Sequence, residues 1–134
     1  MAVLRHDTRP IRSDEDVVGV RRTVREWSIA AGFSLVDQTK MVTAASELAR
    51  NALEYGGGGS LRLEMLNDGA KRGLRLVFED QGPGIVDIEL ALRDGYTSGS
   101  GLGLGLGGAK RLVSQFEIDS APGKGTRVAV TRWK

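Results

Sequence analysis

Glycine sets the first constraint on this chain. Nineteen glycines stand among 134 residues, and most are crowded at 56–59, 82–84, 99–108 and 123–125. Backbone must bend or closely approach something at such clusters, and neither a long helix nor a central strand runs through one comfortably. The clusters therefore cut the chain into blocks. Each block is then read from its own hydrophobic period.

Residues 2–12 set Val3, Leu4 and Ile11 among charges with Pro10 between them, which suits a short edge strand or arm. His6 lies in this segment without a helical period around it and reads as a surface residue. Ser13-Asp14-Glu15-Asp16 is a helix start, with a capping hydroxyl and negative charge over the first turn. Val17, Val20, Val24, Trp27 and Ala31 follow at spacings of three and four, and Gly32 ends the block. A second helix is expected from about Leu35 to Tyr55, with Val36, Thr39, Val42, Ala44 or Ala45, Leu48, Ala49 and Ala52 as its apolar stripe. Beyond the four-glycine connection, 60–66 and 73–80 alternate apolar and polar residues about the turn Asn67-Asp68-Gly69, the pattern of a hairpin. Residues 86–93 suit a short helix, and Asp94–Ser100 a polar loop. A helix is expected to start within the next glycine run and to continue through Ala109, Leu112, Val113 and Phe116. Glu117–Ala121 and Thr126–Trp133 would close the chain as a hairpin about Pro122-Gly123-Lys124-Gly125. Two helices, a hairpin, a loop–helix unit and a second hairpin predict an α+β two-layer sandwich. Its sheet would be mixed, with the helices on one face, and residues 1–134 would form a single domain.

Composition excludes several chemistries. The chain has no cysteine, so neither a disulfide framework nor a thiolate metal site exists. One histidine leaves zinc sites and His-dependent triads without their usual residues. A formal net charge of +2 with acids and bases interspersed is a solvated surface, which argues against a nucleic-acid partner. No apolar run approaches a membrane span or a signal-peptide core, so the expectation is no membrane partner and a soluble cytoplasmic protein.

Three motifs carry chemistry. Within the second helix, Glu47, Arg50 and Asn51 stand at i, i+3 and i+4 and share a face bordering the apolar stripe. They suit a solvated face with a local Glu–Arg pair. They also suit phosphoryl transfer, in which an Asn carbonyl gives Mg²⁺ one hard oxygen and a Glu one turn away orients a hydroxyl. The second motif, Asp80-Gln81-Gly82-Pro83-Gly84, ends a strand in a carboxylate and turns through two glycines. Asp80 is either a cap for that turn or an acceptor for an exocyclic amine, with Gly82 and Gly84 letting backbone pass close to a flat ring. The third, from Gly99 to Gly108, exposes backbone N–H groups near a helix start, where phosphates bind. Gly103, Gly105 and Gly108 also fit G-x-G-x-x-G, but no strand precedes them, and Gly123-Lys124 lacks the Ser or Thr of a Walker A loop.

Together these blocks resemble the ATP-binding GHKL family that unites gyrase, Hsp90, histidine kinases and MutL, built on the Bergerat fold. Glu47 and Asn51 match its E-x-x-x-N helix motif, and Asp80, Gly82 and Gly84 its D-x-G-x-G box. Gly101–Gly105 match its second glycine box, and Gly125-Thr126 its closing Gly-Thr pair. Within the family, the short length and the wording around these positions look most like RsbT-type switch kinases, relatives of the anti-sigma-factor kinases RsbW and SpoIIAB. The resemblance implies ATP and Mg²⁺ as ligands, with Asn51 on the metal and Glu47 as catalytic base. Asp80 would bind the adenine amine, and Thr126 would join the adenine network. The amides of Gly101, Leu102, Gly103, Leu104 and Gly105 would hold phosphates. Arg50 would touch either phosphate or the acceptor protein.

The resemblance further implies phosphorylation of serine or threonine on a STAS-domain antagonist, and binding to a PP2C-type phosphatase. The alternative is an anti-sigma factor whose partner is a sigma factor. A detached histidine-kinase ATPase domain ranks below both, because no phosphoacceptor helix precedes the motifs. One departure stands out: no Lys or Arg occurs from Asp94 to Gly108. A cation for the γ-phosphate would then come from Arg50, Lys110 or Arg111. Oligomeric state is not legible in these residues.

Overall fold

The computed structural model describes residues 1–93 and 105–134. The elements follow in the order β1 (Ala2–Ile11), α1 (Asp14–Ala30), α2 (Leu35–Glu54), β2 (Gly59–Asn67), β3 (Arg72–Asp80), α3 (Ile88–Ala91), α4 (Gly105–Arg111), β4 (Gln115–Ser120) and β5 (Thr126–Trp133). The strands form one five-stranded sheet in the order β1-β2-β3-β5-β4. The α+β two-layer class therefore holds, but the sheet is not mixed. Every neighbouring pair is antiparallel. β3 and β4 do run parallel, joined by the crossover through α3 and α4, yet β5 inserts between them and pairs antiparallel with both.

Both long helices start on side-chain caps. Ser13 Oγ accepts from the Asp16 N–H and Ser34 Oγ from the Asp37 N–H, each at 3.2 Å. α1 buries Val17, Val20, Val24 and Trp27, the expected stripe. α2 buries Met41, Ala44, Ala45, Leu48, Ala49 and Ala52, and the run of alanines lets backbone come close to α1 and the sheet. The expected stripe starts too early: Val36 is 63% exposed and Thr39 is exposed as well, because the start of α2 projects beyond the core and burial begins at Met41.

On the sheet, Leu61, Leu63 and Met65 of β2, Leu74, Leu76 and Phe78 of β3, and Val128 and Val130 of β5 join the helices in one core. The opposite face carries charge, with Glu64 between Arg62 and Arg75, and Arg127 beside Glu79. All helical packing thus falls on one face. Two boundaries differ from expectation. β1 is a full ten-residue strand, and Pro10 is accommodated because β1 is an edge. α4 ends at Arg111, and Phe116 belongs to β4, where it pairs with Val130 and alternates inward with Ile118.

Candidate functional site

One register row crosses the whole sheet at the end nearest the C-terminus of α2. Ile11 pairs with Gly59, Gly59 with Asp80, Asp80 with Thr126, and Thr126 with Ser120. Alternation from Phe78 and Val128 places Asp80 and Thr126 on the helical side. Above them opens a cavity of about 550 Å³. One face of α2 supplies Leu48, Asn51, Ala52 and Tyr55 to it, and the sheet supplies Phe78, Asp80, Thr126 and Val128. The segment after β3, α3 and the start of α4 complete the wall, with Ile85, Leu90 and Leu106 as its apolar part. Mostly apolar walls with few convergent polar groups are the usual form of a small-molecule site, and this volume lies well within the usual range.

Turn chemistry holds the floor. Asp80 Oδ1 accepts the N–H of Gly82 at 2.9 Å, which closes the turn and leaves carboxylate lone pairs to face the cavity. The two readings of Asp80, turn cap and ligand acceptor, are therefore geometrically compatible. Gly82 and Gly84 act differently from the expectation that they make room for a flat ring. A β-carbon on Gly82 would lie 2.6 Å from Gly56 Cα, and one on Gly84 would overlap the Ala121 carbonyl oxygen. Their missing side chains let protein backbone approach protein backbone, and only Gly84 lines the cavity.

The closing turn is built in the same way. The Lys124 N–H donates to the Ala121 carbonyl at 3.0 Å, and Pro122 and Gly123, the latter at φ +77°, occupy the central positions of a type II turn. Gly125, at φ +72°, lies directly against the Asp80 carbonyl.

Asn51 reaches the cavity wall, and half-buried Glu47 sits one turn earlier on the same side of α2. Arg50 turns elsewhere. Its guanidinium lies 3.6 Å from Glu54 and 4.0 Å from Asp14, at the start of α1. None of Arg50, Lys110 and Arg111 lines the cavity. Gly105 does, while Gly101, Leu102, Gly103 and Leu104 lie outside the described residues. Among the described residues, no group of three or more His, Cys, Asp or Glu could cage a metal. Asn51 offers a single hard amide oxygen from α2, which fits an ion that completes its shell with waters and phosphates.

Sequence reasoning missed several wall and floor residues. Tyr55, Ile85, Val86, Asp87, Leu90 and Ala91 line the cavity, and the amphipathic pattern of 86–93 was the available signal for the last of them. Ser120 is a further case. Its Oγ accepts from the Ile85 N–H at 2.9 Å, donates to the Gly125 carbonyl at 2.8 Å, and lies 2.9 Å from Thr126 Oγ1. Nothing in the local sequence distinguishes it from an ordinary strand-end serine.

Residues 36–134 match the family described as Histidine kinase-, DNA gyrase B-, and HSP90-like ATPase. The chain belongs to this family. Membership in this ATPase family implies ATP binding, and the match spans the α2 face, the Asp80 turn and the Thr126 strand. The chain is 42% identical over 123 residues to serine/threonine-protein kinase RsbT of Bacillus subtilis, covering 92% of each chain. It is 31% identical over 116 residues to an anti-sigma F factor of Clostridium kluyveri, covering 78% of this chain and 80% of that one. Among solved structures it is similar to the RsbU and RsbW domains of a Mycobacterium tuberculosis protein, with a TM-score of 0.66 and 25% identity over 97% of this chain and 32% of that one. It is therefore an RsbT-like member of the histidine kinase, gyrase B and HSP90-like ATPase family. No helix among the described residues is long and apolar enough to cross a membrane.

Proposed function

We propose that this chain is a Mg·ATP-dependent protein serine/threonine kinase of the RsbT type. It phosphorylates a STAS-domain antagonist in bacterial stress-response partner switching, and binds and activates a PP2C-type phosphatase. The observation that carries the reading is the pairing of Glu47 and Asn51 on one side of α2, next to a floor made by Asp80 and Thr126. A module that only bound nucleotide would need the floor. It would not need a carboxylate one turn from the metal-ligating position. The likeness to RsbT over nearly the whole of both chains adds support.

In this reading Asp80 and Thr126 hold the adenine, and the apolar walls exclude water from its faces. Bound Mg²⁺ supplies charge neutralisation at the phosphates, and Asn51 is the residue that would hold it. Glu47 orients the acceptor hydroxyl and takes its proton as the new P–O bond forms and ADP departs. Transfer of this kind depends on positioning and electrostatics more than on a strong base. Arg50 is assigned to the acceptor protein rather than to phosphate, since it faces the start of α1.

The test is phosphate transfer from γ-labelled ATP to a cognate STAS-domain protein. Wild-type protein is expected to label it, and Glu47→Ala to bind ATP while losing about a hundredfold or more in rate, the usual loss for a general base. ATP binding without transfer to any STAS protein would overturn the kinase assignment. The second reading, an anti-sigma factor, is favoured by the likeness to anti-sigma F factor, which is lower in identity and coverage. Recovery of a sigma factor and no phosphatase in a pull-down would select it.

A further inference from the structure

We infer that Ser120 is a positioning residue that fixes the sense of the Thr126 hydroxyl and so makes the cavity floor a reader of amino-purines over oxo-purines. The inference rests on the ATP site proposed above and concerns how its base end discriminates.

The argument is a count of hydrogens. A serine hydroxyl has one hydrogen and two lone pairs. The Gly125 carbonyl can only accept, so at 2.8 Å it takes the single Ser120 hydrogen. The Ile85 N–H can only donate, so at 2.9 Å it occupies one Ser120 lone pair. The remaining contact, 2.9 Å to Thr126 Oγ1, can then have only one direction. Thr126 donates and Ser120 accepts. Ser120 is saturated by these partners, and the Thr126 hydrogen points away from the cavity toward β4.

Thr126 lines the cavity, and with its one hydrogen committed to Ser120 its Oγ1 offers a ligand lone pairs alone. Its register partner Asp80 lines the same floor and presents a carboxylate, which also only accepts. An isolated threonine would be ambivalent, because its hydrogen rotates to suit whichever ligand arrives. This one is not. A base edge with an exocyclic amine brings hydrogens to both acceptors, whereas a 6-oxo group would face lone pairs with a lone pair. Ser120 does not line the cavity, so it touches no ligand there and bears on the base edge through Thr126. It also ties the Ile85 segment to the Gly125 turn, a structural role that must be separated from the first.

The test compares dissociation constants of Mg·ATP and Mg·ITP by calorimetry. Wild type is expected to prefer ATP, and Ser120→Ala to narrow the ratio about tenfold, the worth of one hydrogen bond that the released Thr126 hydroxyl can now give to a 6-oxo group. Ser120→Thr, which keeps the hydroxyl, is expected to retain the wild-type ratio. In a Thr126→Val background, Ser120→Ala is expected to leave the ratio unchanged. If Ser120→Ala does not fold, Ser120→Cys carries the same comparison, its weakly accepting sulfur narrowing the ratio where Ser120→Thr does not. Equal weakening of both nucleotides, or the same narrowing in the Thr126→Val background, overturns the inference and leaves Ser120 a structural tie. Failure of wild type to bind ATP at all overturns instead the site reading on which it rests.

Discussion

Gly123 and Gly125 occupy one turn, share a positive φ, and differ in what surrounds them. A β-carbon on Gly123 meets nothing within 4 Å, while one on Gly125 overlaps the Asp80 carbonyl oxygen and lies 3.2 Å from Gln81 Cα. Placing alanine at a left-handed φ costs about 1–2 kcal/mol. The less flexible unfolded chain offsets roughly 0.4–1 kcal/mol of that. Gly123→Ala should therefore destabilise by only about 0.5–1 kcal/mol. Gly125→Ala carries the same backbone cost together with forced separation of the turn from the end of β3. Overpacking of this kind costs about 1–3 kcal/mol, which brings the total to about 2–4 kcal/mol.

At about 4 °C per kcal/mol for a domain of this size, Tm should fall by roughly 2–4 °C in the first variant and 8–16 °C in the second. Urea denaturation with nucleotide titration on the same samples checks both quantities. Gly123→Ala should keep ATP affinity. Gly125→Ala should lose it even where folded, because the strand ends being pushed apart carry Asp80 and Thr126. Equal Tm losses in the two variants would refute the claim that backbone approach, rather than turn conformation, is what requires glycine at 125.

Asp80→Asn puts an N–H₂ where the floor needs an acceptor, and should weaken ATP binding about tenfold or more by calorimetry. Asn51→Ala should abolish the Mg²⁺ dependence of that binding. Arg132→Met should destabilise by about 1–3 kcal/mol in urea, because it strands Asp37 and the Leu112 carbonyl, which the guanidinium holds at 2.7 and 2.9 Å. Asp68, in the β2–β3 turn, has its pKa lowered from the usual 3.8, chiefly by N–H donation from Lys71 and then Ala70. A depressed carboxylate stabilises above its unfolded pKa and loses that contribution as pH falls through the folded value. Asp68→Ala should therefore be less stable than wild type at neutral pH, with the gap shrinking in acid below the usual value.

How far the sequence could be read depends on the distance over which each feature is decided. The α1 stripe and the β2–β3 hairpin follow from periods and a turn within a few residues of one another, and both stand as expected. Glu47 and Asn51 were legible because helical spacing alone puts them on one side. The antiparallel character of the sheet was not, because it depends on β5 entering between β3 and β4, a choice among strand partners far apart in the chain. Arg50 belonged to the motif by spacing but turns to Asp14, a residue of another helix. The glycines at 82, 84 and 125 announced close approach without naming the partner, which proves to be protein backbone. Ser120 gave no local signal, since its role exists only once Ile85, Gly125 and Thr126 surround it.

The insertion of β5 has a consequence for when the site comes into being. Asp80 and Thr126 are neighbours only across the β3–β5 seam, so the floor cannot close until β5 has been synthesised and has docked. A nascent chain that has emerged through β4 carries Glu47, Asn51 and Asp80 but lacks the Thr126 half of the floor. Non-local strand pairing of this kind forms slowly and exposes unpaired edges while it waits. With the adenine held as proposed, the competence to bind nucleotide arrives with the β3–β5 pairing, and a ribosome-bound intermediate is expected to be blind to ATP however much of the motif it already displays.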